Sequence, residues 1–124
     1  MEEEIQKSIE ILKKGGTLVY PTDTIWGIGC DATNVKAVNK VFKLKKRSKT
    51  KNLIVLIDSK DKLETYVKSV PEIAWGLIDN VDKPLTIIFP DGQNLAKNIM
   101  GADGSIAIRI TNDEFSKRLI KEYG

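Results

Sequence analysis

A chain of 124 residues that is 41% hydrophobic and 30% charged is long enough to bury a modest core and too apolar to stay disordered. It holds no histidine and a single cysteine, which excludes Ser-His and Cys-His nucleophile pairs, an intrachain disulfide and zinc sites built on those ligands. The 20 basic and 17 acidic residues give a net charge of only +3, so no overall charge imbalance points to a partner. No apolar run reaches the length of a membrane span, and Met1-Glu2-Glu3-Glu4 has the wrong sign for a signal peptide. The expectation is a cytoplasmic protein with no membrane association, whose proton transfers fall to carboxylates, lysines, substrate groups or water.

Residues 4–14 place Ile5, Ile9 and Leu12 at helical spacing, and Gly15-Gly16 ends that helix. Thr17-Leu18-Val19-Tyr20 reads as a short strand stopped by Pro21, Thr22-Asp23-Thr24 as a polar turn, and residues 25–30 as a strand containing two glycines. Asn34 suits the N-cap of a helix running to about Leu44, with Val38, Val41 and Phe42 along one side. Leu53-Ile54-Val55-Leu56-Ile57 is continuously apolar and predicts a central strand buried on both faces. Asp58 or Ser59 is expected to cap a short helix over 60–67, and Pro71 to sit in the first turn of another with Ile73, Ala74, Leu77 and Ile78 apolar. Residues 84–90 form a strand framed by prolines, and 94–100 a helical turn. Ser105, Ala107 and Arg109 share one face of the next strand and three isoleucines the other, before a last helix over 113–123. Interleaved helices and strands give an α/β class around one mixed sheet.

The modest net charge conceals one cationic stretch. From Lys40 to Lys51 seven of twelve residues are Lys or Arg and none is acidic, leaving 13 basic against 17 acidic residues elsewhere. Two readings stand: an anionic partner such as a nucleotide, pyrophosphate or nucleic acid, or a solvated helix end whose lysines complement the macrodipole. Gly27-Ile28-Gly29-Cys30-Asp31-Ala32 matches a G-x-G-x-x-A fingerprint, but a polar turn precedes it and the helix opens only after Asn34. That context argues against a dinucleotide fold. No P-loop sequence is present, so any nucleotide is held by side-chain cations. Cys30 reads first as a small buried thiol and second as a nucleophile. Tyr20-Pro21-Thr22-Asp23-Thr24 reads either as a turn or as a cluster of hydroxyls and carboxylate able to bind a small polar ligand.

The stretch from Gly15 to Ala32, GGTLVYPTDTIWGIGCDA, closely resembles the opening signature of the YrdC/Sua5 family. Lys45-Lys46-Arg47 resembles that family's K-x-R motif, Pro84-Leu85-Thr86 its P-[LV]-T strand, and Ser105-Ile106-Ala107-Ile108-Arg109-Ile110 its S-[IL]-A-[VI]-R strand. The motifs fall in order over essentially the whole chain, which is far more specific than any one of them. The resemblance implies a single YrdC-like (RibB-like) domain over residues 1–124: a twisted mixed β-sheet with flanking helices and a concave basic cavity. It implies an L-threonylcarbamoyladenylate synthase, a nucleotidyltransferase condensing L-threonine, bicarbonate and ATP into threonylcarbamoyl-AMP and pyrophosphate for tRNA t6A37 modification. Mg2+ would accompany ATP, without a dedicated protein metal site. Carried over by position, Thr24 and Arg109 hold threonine. Lys45, Arg47, Lys51 and Ser105 hold the ATP phosphates, with Lys45 and Arg47 catalytic. Lys40, Lys43, Lys46 and Lys49 are left as outer charge.

This sequence departs from the family pattern at Ser48 and Asn52, where proline is usual, and at Leu56, where some members place a histidine that contacts threonine. The family also continues into an S-x-S-A-N segment that this sequence lacks, so a C-terminally incomplete domain, as a fragment or a shortened protein, is expected. The alternative function is a non-catalytic module of the same fold that binds double-stranded RNA or tRNA. The resemblance also implies proteins that carry out t6A transfer as partners. A carbamoyl-transfer domain of a hydrogenase maturation protein fits less well, because the zinc-finger-like cysteines expected with it are absent.

Overall fold

The computed structural model describes residues 2–21, 26–45, 53–79, 85–101 and 103–123, with only the backbone path for 19–21, 26–28, 44 and 45. Five helices and five strands are interleaved along them. Helix α1 (Glu2–Lys13) leads into a hairpin of β1 (Leu18–Pro21) and β2 (Trp26–Gly29), then α2 (Val35–Lys45) and β3 (Ile54–Ile57). A 3-10 turn (Lys60–Lys62), α3 (Leu63–Tyr66) and α4 (Glu72–Asp79) precede β4 (Thr86–Phe89). A second 3-10 turn (Lys97–Ile99), β5 (Ile106–Ile110) and α5 (Glu114–Tyr123) complete the order.

Local chemistry explains the helix ends. Gly15 takes φ +76°, and the Gly15 and Gly16 amides donate to the carbonyls of Leu12 (3.0 Å) and Ile11 (2.9 Å), closing α1 with a Schellman motif. Asn34 caps α2 as predicted, its Oδ1 accepting from the Ala37 amide at 3.1 Å. Asp113 does the same for α5, with Oδ2 accepting from the Ser116 amide at 2.9 Å. The expected cap by Asp58 or Ser59 is not made. Ser59 contributes no side-chain bond to the 3-10 turn, and Asp58 instead pairs with Lys62, four residues on, at 2.8 Å. Residues 60–66 accordingly divide into a 3-10 turn and one α-turn. Pro21 closes β1 from within rather than stopping it, which a strand end tolerates.

The strands form an antiparallel β1–β2 pair and a three-stranded sheet in the order β3-β5-β4, with β3 parallel and β4 antiparallel to β5. The doublet Gly27-Gly29 thus lies inside an antiparallel strand, six residues before α2 opens, which rules out the dinucleotide turn on geometry as well. β5 is the central strand of the described sheet. The expectation that 53–57 is central and buried on both faces is therefore corrected. β3 alternates, with Val55 and Ile57 buried and Ile54 45% exposed, because only one of its faces meets the core.

That core face gathers Val55, Ile57, Phe89, Ile106 and Ile108 against Val38, Val41 and Phe42 of α2, with Leu63, Val67 and Ala74 beside them. A second cluster joins Ile5, Ile9 and Leu12 of α1 to Leu119 of α5. Helix α4 shows only part of its apolar pattern to the core: Ala74 is buried, while Ile73 and Leu77 are exposed. Since the left-handed φ of Gly15 is strained for any residue with a Cβ, and that Cβ would meet Asn34 Nδ2 at 3.2 Å, Gly15→Ala is expected to cost about 1 kcal/mol. Urea unfolding should show a lower midpoint at unchanged slope.

Candidate active site

The face of the sheet opposite the core carries the one predicted ligand-holding cation whose side chain is described. Register places Leu56, Arg109 and Thr86 in one row across β3, β5 and β4, and Ile54, Ala107 and Ile88 in the next. Strand alternation puts both rows on the same face, since Ile106 and Ile108 point into the core. Arg109 is half-buried, and its Nε donates to Thr86 Oγ1 at 2.8 Å. Ile88 is 69% exposed on this face. The result is an open apolar surface holding a single guanidinium beside a hydroxyl. A planar cation in such a setting suits a carboxylate or a phosphate.

Ser105 stands one residue before β5 at the edge of this surface. Its amide donates to Asp103 Oδ1 at 3.0 Å and its carbonyl accepts from Gly101 at 2.9 Å, so its backbone is tied on both sides of a turn containing Gly104 at φ +82°. Lys45 is the last residue of α2, and its side chain lies outside the described residues, as do Thr24, Arg47 and Lys51. The structure thus brings Arg109 and Ser105 to one strand, with Ser105 just before its first residue and Arg109 near its far end. Lys40, assigned as outer charge, is exposed, and its Nζ also donates to the Gly15 carbonyl at 3.2 Å, joining α2 to the end of α1. Lys43 is exposed, in keeping with that assignment. A cavity of about 100 Å³ lies on the other, apolar side of the sheet between Leu63, Ile78, Ile87 and Ile108, away from Arg109.

Two polar features escaped the sequence reading. Thr86 was visible only as part of a strand motif, because its pairing with Arg109 depends on the β4–β5 register. The other is a junction at Asp31. Its Oδ2 accepts from the Tyr123 hydroxyl at 2.6 Å, and its Oδ1 from the Thr33 hydroxyl at 2.6 Å and amide at 2.9 Å. Partial burial works against the charged carboxylate, but the bonds from Thr33 and Tyr123 outweigh it and hold the Asp31 carboxyl below its ordinary value. Burial first, and then the bond to Asp31, push the Tyr123 hydroxyl up to about 12. Cys30, half-buried against the core, is raised to about 11 by burial and then by the Asp31 charge. The thiol reading thus prevails over the nucleophile reading, since a thiolate is scarce at neutral pH.

Alkylation of Cys30 by iodoacetamide should accordingly be slow at pH 7 and climb about tenfold per pH unit toward pH 11. Tyr123→Phe removes a charge-assisted bond that is only partly shielded from water, and should cost about 1 kcal/mol near pH 7. A carboxyl held below its unfolded value of 3.8 contributes stability above that pH and loses it as the pH falls through the folded value. The difference between wild type and Tyr123→Phe should therefore shrink in acid unfolding curves below about pH 4.

Comparison with known proteins gives this arrangement a context. A protein-family model described as "Telomere recombination" (Sua5/YciO/YrdC) matches residues 10–124. The threonylcarbamoyl-AMP synthase of Hahella chejuensis is 33% identical over 97% of this chain, and that of Riesia pediculicola 35% identical over 98%. The chain spans about two-thirds of those relatives, 66% and 67% of their lengths. Among solved structures, P. abyssi Sua5 complexed with L-threonine superposes with a TM-score of 0.91 at 30% identity, covering 98% of this chain and 36% of that one. E. coli YciO, at 23% identity, shares the fold with a TM-score of 0.87 over 100% of this chain and 61% of its own. Sequence motifs in order, a matching fold and a family model spanning all but the first nine residues agree that the chain belongs to the YrdC/Sua5 family.

Proposed function

We propose that this protein carries out L-threonylcarbamoyladenylate synthesis, condensing L-threonine, bicarbonate and ATP into threonylcarbamoyl-AMP, pyrophosphate and water. The observation that carries the reading is Arg109, a half-buried guanidinium held by Thr86 on an otherwise apolar sheet face, in a chain whose relatives are named threonylcarbamoyl-AMP synthases. The threonine-bound Sua5 structure supports it further. Arg109 pairs with the threonine carboxylate, and Thr24 completes that subsite. The threonine nitrogen takes up the carboxyl group of bicarbonate, and the resulting carbamate oxygen attacks the α-phosphorus of ATP as pyrophosphate leaves.

Negative charge then grows on the α-phosphate and the departing pyrophosphate. Lys45, Arg47 and Lys51 offer cations to that charge, and Ser105 a hydroxyl. Mg2+ enters with the nucleotide through its phosphates. Fixed donors aimed at developing charge are worth about 10²–10³ in rate each. Holding the carbamate beside the α-phosphate supplies effective concentration. Within this reading the 124 residues act as one domain, and the activity belongs to them or to the longer chain that contains them.

Pyrophosphate release from ATP by the purified chain should require both L-threonine and bicarbonate. Arg109→Ala should raise the threonine KM by at least about tenfold, and Lys45→Ala should lower kcat by about 10²–10³. No threonine-dependent release, together with salt-sensitive binding of double-stranded RNA, would sink the enzymatic reading in favour of an RNA-binding module.

A further inference from the structure

The two-row patch on the open sheet face contains six side chains: Leu56, Arg109 and Thr86, then Ile54, Ala107 and Ile88. Only Arg109 and Thr86 are polar. Arg109 has an apolar neighbour, Leu56, on one side of its row and a hydroxyl on the other, 2.8 Å from Nε. We propose that Thr86 is the positioning residue for Arg109, turning its guanidinium so that the Nη1–Nη2 edge is the fork presented to a ligand carboxylate. The inference rests on the reading of Arg109 as the carboxylate holder.

Geometry gives the reason. A guanidinium is planar, and it can grip a carboxylate either through Nε with one Nη or through both Nη groups. A hydrogen bond from Nε to Thr86 occupies the first edge and leaves bidentate binding to the second. It also fixes the plane of the group at the end of a long, flexible side chain. Threonine suits this task because β-branching restricts χ1, so its oxygen is placed by the strand itself. The Thr86 hydroxyl accepts from Arg109 and keeps its own hydrogen to donate. The subsite thus presents the Nη donors and one adjacent hydroxyl donor to the same anion, beside the apolar side chains of Leu56, Ile54, Ala107 and Ile88.

Thr86→Val keeps the shape and removes the acceptor, Thr86→Ala removes the acceptor without a replacement methyl, and Thr86→Ser keeps the hydroxyl. Two readouts on the full chain decide the matter: solvent exchange of the Arg109 Hε proton by NMR, and L-threonine affinity by titration calorimetry. Exchange should be slow in wild type and Thr86→Ser and fast in the Val and Ala variants. Threonine affinity should fall about tenfold in Val and Ala and stay within about threefold in Ser, with unchanged unfolding midpoints. Equal Hε protection in all four proteins overturns the positioning role. So does a loss of affinity in the Ser and Ala variants that spares Val, which marks a packing effect. Exchange that responds as expected in a wild-type chain that binds no threonine supports the positioning role and overturns the threonine reading alone.

Discussion

The described sheet depends on the alternation within β5. Lying between β3 and β4, this strand has neighbours on both sides and two faces of opposite character. Ile106 and Ile108 close the core with Val55 and Phe89, each buried side chain worth about 1.5–3 kcal/mol. A slip of one residue would turn those isoleucines to the open face and drive Arg109 into the core. The hydrophobic effect, rather than any attraction felt by the guanidinium, therefore decides where Arg109 stands. Once placed, it has the adjacent strand's Thr86 within reach because the antiparallel register sets the two opposite one another.

The open face is costly by the same standard. Ile88 stays largely in water and Ile54 is nearly half exposed, although both belong to strands that could bury them. An apolar surface with one cation is poor solvent-facing design, yet it suits ligand recognition. Apolar neighbours offer a bound ligand no competing hydrogen bonds. Leu56 follows this logic. Here a half-buried aliphatic chain flanks Arg109. The guanidinium and the threonine hydroxyl are left to supply the polarity of the row.

Much of the fold was legible because its signals are local. Asn34 and the Gly15-Gly16 pair mark helix ends through backbone chemistry that involves only neighbouring residues. The alternation of Ser105, Ala107 and Arg109 against isoleucines likewise needs nothing beyond a strand's period. Errors arose where the outcome depends on partners distant in sequence. An apolar run such as 53–57 does not disclose how many of its faces meet the core, and β3 exposes Ile54 because its outer face is the open one. Asp58 pairs with Lys62 instead of capping the turn. The pairs Thr86–Arg109 and Asp31–Tyr123 join residues 23 and 92 positions apart. No spacing rule announces such pairs, since only the assembled sheet and the docked last helix bring them together.

The cationic stretch shows how local and long-range chemistry divide one sequence feature. Its first lysine, Lys40, is spent on the fold: it bonds to the Gly15 carbonyl at the left-handed end of α1. That contact and the Asp31 junction hold α2 by its flank and its N-terminal approach, through α1 on one side and Tyr123 of α5 on the other. Helix-end lysines also complement the macrodipole, so the structural and ligand-binding readings of the patch do not compete.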